Sequence, residues 1–129
     1  MTTPFFPHLL VAVRVWCQEN AVGCHIKAPT AQVSGLPQHI INRFPEEITL
    51  DISEGAVANF SIDIEQLHFN CRFNGVDCFV MTNVDKVILV HSTDGQIVCL
   101  NPAYVPDDNE TEQVVKEEPK SQSKLRIVE

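Results

Sequence analysis

Residues Leu67 to Thr82 limit the fold of this chain more than any other stretch. Leu67, Phe69, Cys71 and Phe73 alternate with His68, Asn70 and Arg72, then Asn74-Gly75 follows, then Val76, Cys78 and Val80. Strict alternation places one side of a strand against a core and the other toward solvent. Asn-Gly between two such runs signals a two-residue hairpin turn, because both turn residues need positive φ. The turn also sets the register. Phe73 faces Val76, Arg72 faces Asp77, Cys71 faces Cys78 and Phe69 faces Val80. Opposite charges at 72 and 77 support this pairing by roughly 0.2–1 kcal/mol. The two small Cys side chains leave a shallow spot in a row of aromatics. Either the spot is filled by ordinary core packing, or another backbone can come close there.

The remaining chain is mostly strand-like. The first element fits two periods. Leu9, Leu10, Val13, Trp16 and Cys17 follow helical spacing, while Leu9, Val11, Val13, Val15 and Cys17 alternate. Pro4 and Pro7 suit a helix start, and Asn20 and Gly23 suit its end, so a helix is favoured. Its apolar stripe is wider than a lone helix on a small sheet needs. Pro29, Gly35, Pro37 and Pro45 break Val22 to Pro45 into short strands and loops. Strands are expected at 48–52, 61–64, 84–90 and 97–100, with a turn or one helical turn at 53–59 and a turn at Asp94-Gly95. Gly35, Gly55, Gly75 and Gly95 are evenly spaced, but their flanks differ, so no repeat is read.

The end of the chain has a different composition. Val105 to Ser123 has no aromatic residue and few apolar ones. Such a segment buries too little apolar surface to offset its ordering entropy, so a disordered linker is expected. Lys124-Leu125-Arg126-Ile127-Val128-Glu129 then forms an apolar knot with one Arg. It reads either as a docking motif or as a terminus without a role. The organisation expected is a body at 1–104, an acidic linker at 105–123 and a docking motif at 124–129.

Charge and cysteine usage narrow the function classes. The body carries ten acidic and five basic residues, and the remainder seven acidic and four basic. Both parts are acidic, whereas phosphate backbones require clustered Lys and Arg, so nucleic acid is not expected as the main ligand. The five cysteines are odd in number and form no C-x-x-C, which points to a reducing, cytoplasmic compartment without structural disulfides. Cys17, Cys24 and His25 match no standard zinc spacing. The apolar run at 9–17 is too short to span a membrane. No nucleophile elbow, zinc-protease motif or phosphate loop is present. A non-enzymatic binding module without cofactor or metal is the expectation.

Two motifs resemble a known family. Gly55-Ala56-Val57-Ala58-Asn59-Phe60, followed by Leu67-His68-Phe69-Asn70-Cys71-Arg72-Phe73-Asn74-Gly75-Val76, is similar to the pattern A-V-G-N-L then V-R-F-N-A-R-F-G-G. That pattern belongs to the stringent starvation protein B family, bacterial adaptors of the ClpXP protease. Pro7-His8-Leu9-Leu10 with Trp16 and Asn20 resembles the family's P-Y-L-L…W…D-N helix. Leu125-Arg126-Ile127-Val128 resembles its closing L-R-V-V.

The resemblance implies a mainly β fold: a small Sm-like open barrel of antiparallel strands with an N-terminal α-helix and a disordered C-terminal tail. It implies a homodimer joined through the helix, with Leu9, Leu10, Val13 and Trp16 at the seam. It implies that the body binds ssrA-type tags, the peptides that trans-translation adds to stalled products. The groove would be bordered by Phe69, Asn70, Cys71, Arg72 and Phe73 and completed by Cys99. Leu125, Arg126, Ile127 and Val128 would dock on the zinc-binding domain of the ATPase ClpX. Three positions depart from the pattern. Cys71 replaces a small Ala, Cys99 stands where relatives carry Met, and Glu129 replaces a basic residue of some relatives. An Sm-like RNA-binding regulator is the alternative, and a small Cys/His hydrolase or metal enzyme is a third class.

Overall fold

The computed structural model describes residues 3–106, and the linker and docking assignments at 107–129 lie outside them. The described chain is mainly β: eight strands in two four-stranded antiparallel sheets, with a helix near the N-terminus. Helix α1 spans Phe6–Glu19. Strands β1 (Cys24–Pro29) and β2 (Val33–Ser34) follow, then a short helix α2 (Gln38–Arg43). Strands β3 (Glu47–Asp51), β4 (Ala58–Ile62), β5 (Gln66–Phe73), β6 (Val76–Asn83), β7 (Leu89–Ser92) and β8 (Val98–Leu100) complete the body. One sheet has the order β3-β1-β7-β8 and the other β2-β6-β5-β4.

The two sheets and α1 share one core. Alternation supplies each contribution. Cys24, Ile26 and Ala28 are buried on β1, Ile48 and Leu50 on β3, Leu67 and Phe69 on β5, and Val80 on β6. Helix α1 adds Phe6, Leu10, Val13 and Cys17, spaced four, three and four residues apart so that they line one face.

The first element is therefore helical, and its ends show why. Pro7 occupies the first turn, where its missing N–H has no partner to lose. At the other end the Val22 N–H donates to the Cys17 carbonyl at 3.0 Å and the Ala21 N–H to the Gln18 carbonyl at 3.3 Å. This is a Schellman closure, and it holds Ala21 at φ +57. The left-handed residue is thus Ala21, not the expected Gly23.

The β5–β6 hairpin has the register read from its turn. Phe73 pairs with Val76, Arg72 with Asp77, Cys71 with Cys78 and Phe69 with Val80. Asn74 and Gly75 both have positive φ, at 55 and 80. Three other expectations change. The strand expected at 61–64 is β4, three residues earlier at its start. The strand expected at 84–90 opens instead with a 3-10 turn at Val84–Lys86, and β7 begins at Leu89. Buried Asn101 makes this possible, its Nδ2 donating to the Val84 and Val87 carbonyls at 3.0 and 2.8 Å. Helix α2 replaces a loop. Pro37 precedes it in extended geometry, and the Asn74 side chain meets His39 at 3.0 Å, tying α2 to the hairpin turn.

Ala21→Gly removes a Cβ from a left-handed position that costs an L-residue ~1–2 kcal/mol, against a greater loss of chain entropy on folding. The variant is expected to gain up to about 1 kcal/mol, checked by urea denaturation of both proteins.

Candidate functional site: a cleft beside an open strand edge

Strand β5 is paired unequally on its two sides. Against β6 it is paired along its whole length, from Gln66 to Phe73. Against β4 it pairs only at Leu67, His68 and Asn70. The β4 ladder is interrupted between Ala58 and Ser61, with Asn59 at φ +57, and it ends at the Ala58–Asn70 pair. A bulge of this kind turns a strand away from its neighbour. Beyond Asn70, no described strand pairs with this side of β5.

A cleft of about 580 Å³ opens at that place. Its walls are Gly55, Ala56, Val57, Ala58 and Asn59 on one side and Asn70, Cys71, Arg72 and Asp77 on the other. The lining side chains before β4 are small, so the turn at 54–56 stays clear of the hairpin. Asn59 Nδ2 donates to Asn70 Oδ1 at 3.1 Å and closes one end. Arg72 Nε donates to Asp77 Oδ1 at 2.8 Å at the rim. Both partners of that ion pair are mostly exposed, so it contributes at most ~1 kcal/mol to stability. Burial pushes the Cys71 thiol up from its ordinary value, and the neighbouring Cys78 adds to the rise. A neutral, small-walled cleft with amide groups and a strand edge suits an extended polypeptide: main-chain groups can complete the ladder and small side chains can enter.

The groove expectations divide on this geometry. Asn70, Cys71 and Arg72 line the cleft. Phe69 does not: it is buried in the core, stacked on Phe60 with ring centroids 6.3 Å apart. Phe73 is half-buried against the core edge and Cys99 lies on β8 of the other sheet, paired with Val90; neither lines the cleft. Gly55 to Asn59 and Asp77 were not expected as lining residues. The available signal was the run of small residues, which read as a turn and as the first family-like motif, with no lining role attached. Leu125, Arg126, Ile127 and Val128 lie outside the described residues.

The helix seam also changes. Leu10 is 0% exposed and Val13 4%, both facing the core of their own chain. They have no surface to offer a second copy. Leu9 and Trp16 are half-buried against the same core. The outward apolar residues of α1 are Val11 and Val15, 41% and 46% exposed. They line a second groove of about 370 Å³ with Arg14, Phe60, Ser61 and Ile62. Arg14 fixes this groove. Its Nε donates to the Ile52 carbonyl at 2.7 Å, and its guanidinium lies 4.2 Å from the Phe60 ring centroid.

Cys17, Cys24 and His25 do not converge. The two thiols are buried in the core, while His25 faces away toward His91 and Asp51. Among the described residues, no group of three or more His, Cys, Asp or Glu side chains could hold a metal ion. No helix among them is long and apolar enough to cross a membrane. Comparison with known proteins adds no identity: no protein-family model and no curated protein matches the chain.

Leu10→Ala is expected to cost about 2–5 kcal/mol of stability, because it empties a fully buried site. Val15→Glu is expected to change stability by no more than ~0.5 kcal/mol in a monomer. Denaturant midpoints of the two variants check the assignment of inner and outer helix faces.

Proposed function

We propose that this chain is a proteolytic adaptor of the stringent starvation protein B type. The body holds an ssrA-type degradation tag in the cleft beside β5, and Leu125 to Val128 engage ClpX. One observation carries the reading. The two separate motifs that resemble the family, 55–60 and 67–76, supply the two walls of a single cleft. Six residues separate the motifs, and the antiparallel pairing of β4 with β5 brings them side by side.

The physics of the role is that of a tether. A tag lying along Cys71 to Phe73 would use main-chain hydrogen bonds for affinity and the small walls for selection. A linker of the length 105–123 spans roughly 25 Å root-mean-square by the scaling of flexible chains. Cargo on the body would then meet the ATPase at an effective concentration on the order of millimolar. Leu125, Ile127 and Val128 would each contribute ~1.5–3 kcal/mol of burial before ordering costs, and Arg126 a charge-assisted hydrogen bond.

Two finer parts belong to the same proposal. The two sheets around one core are read as a small Sm-like open barrel. The homodimer is read as joined along the outer face of α1 at Val11 and Val15, replacing the inward Leu10 and Val13. The net charge of the chain, −8, supports a peptide ligand over RNA.

Cys71→Gln is expected to weaken binding of a labelled tag peptide at least tenfold, about 1.4 kcal/mol, with unchanged urea unfolding. Unchanged affinity in that folded variant overturns the cleft assignment. Deletion of 124–129 is expected to abolish stimulated degradation of a tagged reporter by ClpXP while leaving tag affinity intact. Delivery that survives the deletion overturns the docking role.

A further inference from the structure

The hairpin that forms one cleft wall also carries two free thiols in direct opposition. Cys71 and Cys78 are cross-strand partners on β5 and β6. Opposed residues of an antiparallel ladder have Cα atoms ~4.5 or ~5.5 Å apart, depending on the kind of pair. Both values lie within the ~4.4–6.8 Å that a disulfide spans. Opposed side chains also leave the sheet on the same face. Here that face is the core side near the hairpin tip, where both residues are half-buried at the core edge. Cys78 donates weakly to the Val76 carbonyl, with Sγ and oxygen 3.5 Å apart.

The other thiols differ. Cys17 and Cys24 are buried in the core, and burial is the main reason the Cys24 thiol is pushed up to about 12. A thiol in that state is a poor nucleophile at neutral pH. Cys99 lies on β8, in the other sheet.

We propose that Cys71 and Cys78 are a reversible modification site, a dithiol–disulfide couple closed by a small disulfide oxidant such as oxidised glutathione, and that its closure reshapes the cleft. One thiolate of the pair attacks a glutathione sulfur. The S–S bond of the oxidant breaks, a protein–glutathione disulfide forms, and one glutathione leaves as a thiolate that takes up a proton. The second protein thiolate attacks the protein sulfur of that mixed disulfide and expels the other glutathione, which is protonated in turn. Each cysteine sulfur is oxidised by one electron, and the oxidant is reduced to two thiols. The new bond, ~2.05 Å long, draws the Cys71 sulfur toward β6 and away from the wall at 55–59. The raised titration of Cys71 makes the exchange faster as pH rises toward that value. Any effect on a bound peptide rests on the function proposed above.

The test uses the full-length folded protein and no peptide, so it is separate from the peptide-binding reading. The protein is incubated with oxidised glutathione without denaturant. The intact mass is expected to fall by two hydrogens, and fragment mapping to link Cys71 to Cys78. Amide resonances of Ala56 to Asn59 should shift while those of β3 stay. Dithiothreitol should reverse both changes, and Cys78→Ser should abolish the internal bond. A link that includes Cys99, no bond in the folded chain, or a bond that leaves the 56–59 resonances in place would each overturn the inference.

Discussion

The Asn74-Gly75 turn is the constraint on which the second sheet depends. A strand has a side-chain period of two, so a slip of one residue in this hairpin would exchange its two faces. With β5 held in place, Val80 would then leave the core and Phe79 would enter it. Only residues that tolerate positive φ permit the tight turn that prevents this, and both turn positions have it. The core of the whole body follows from that choice, because the inner face of this hairpin is what β1, β3 and α1 pack against.

The cleft arises where the same ladder is left incomplete. β6 protects one edge of β5 along its full length, while the bulge at Asn59 releases β4 from the other edge after Asn70. An unpaired strand edge is a hazard in a stable protein because any extended chain can add to it. Here the edge is short and is flanked by the small-residue turn before β4 and by the Arg72–Asp77 pair. That arrangement places Cys71 and its partner Cys78 where chemistry on the hairpin would be felt at the wall.

Helix α1 uses both of its faces. Phe6, Leu10, Val13 and Cys17 close the core, and Val11 and Val15 remain outside beside Phe60. The width of the apolar stripe has this origin: two adjacent stripes serve two different environments. Arg14 lies between them, its guanidinium over the Phe60 ring and its Nε on the Ile52 carbonyl, so the helix cannot roll to exchange the faces without losing both contacts.

Much of the local structure was legible in the residues alone. The hairpin register, the alternation of β3 and β5, and the helical period of α1 are nearest-neighbour properties, set by pleat, turn chemistry and 3.6-residue spacing. The left-handed Ala21, the 3-10 turn at Val84 and helix α2 were not legible, because each is held by distant groups: a helix-end closure, the side chain of Asn101, and Asn74 against His39. For the site, Asn70, Cys71 and Arg72 were named from the family resemblance, and that Phe69 is buried and Cys99 lies in the other sheet became clear only from burial and sheet order. Sequence determined which residues share a strand face. Only the tertiary structure decided which face met the core, which strand edge stayed open, and that a bulge at Asn59 leaves a cleft between two motifs on consecutive strands, since these depend on packing that no local period sets.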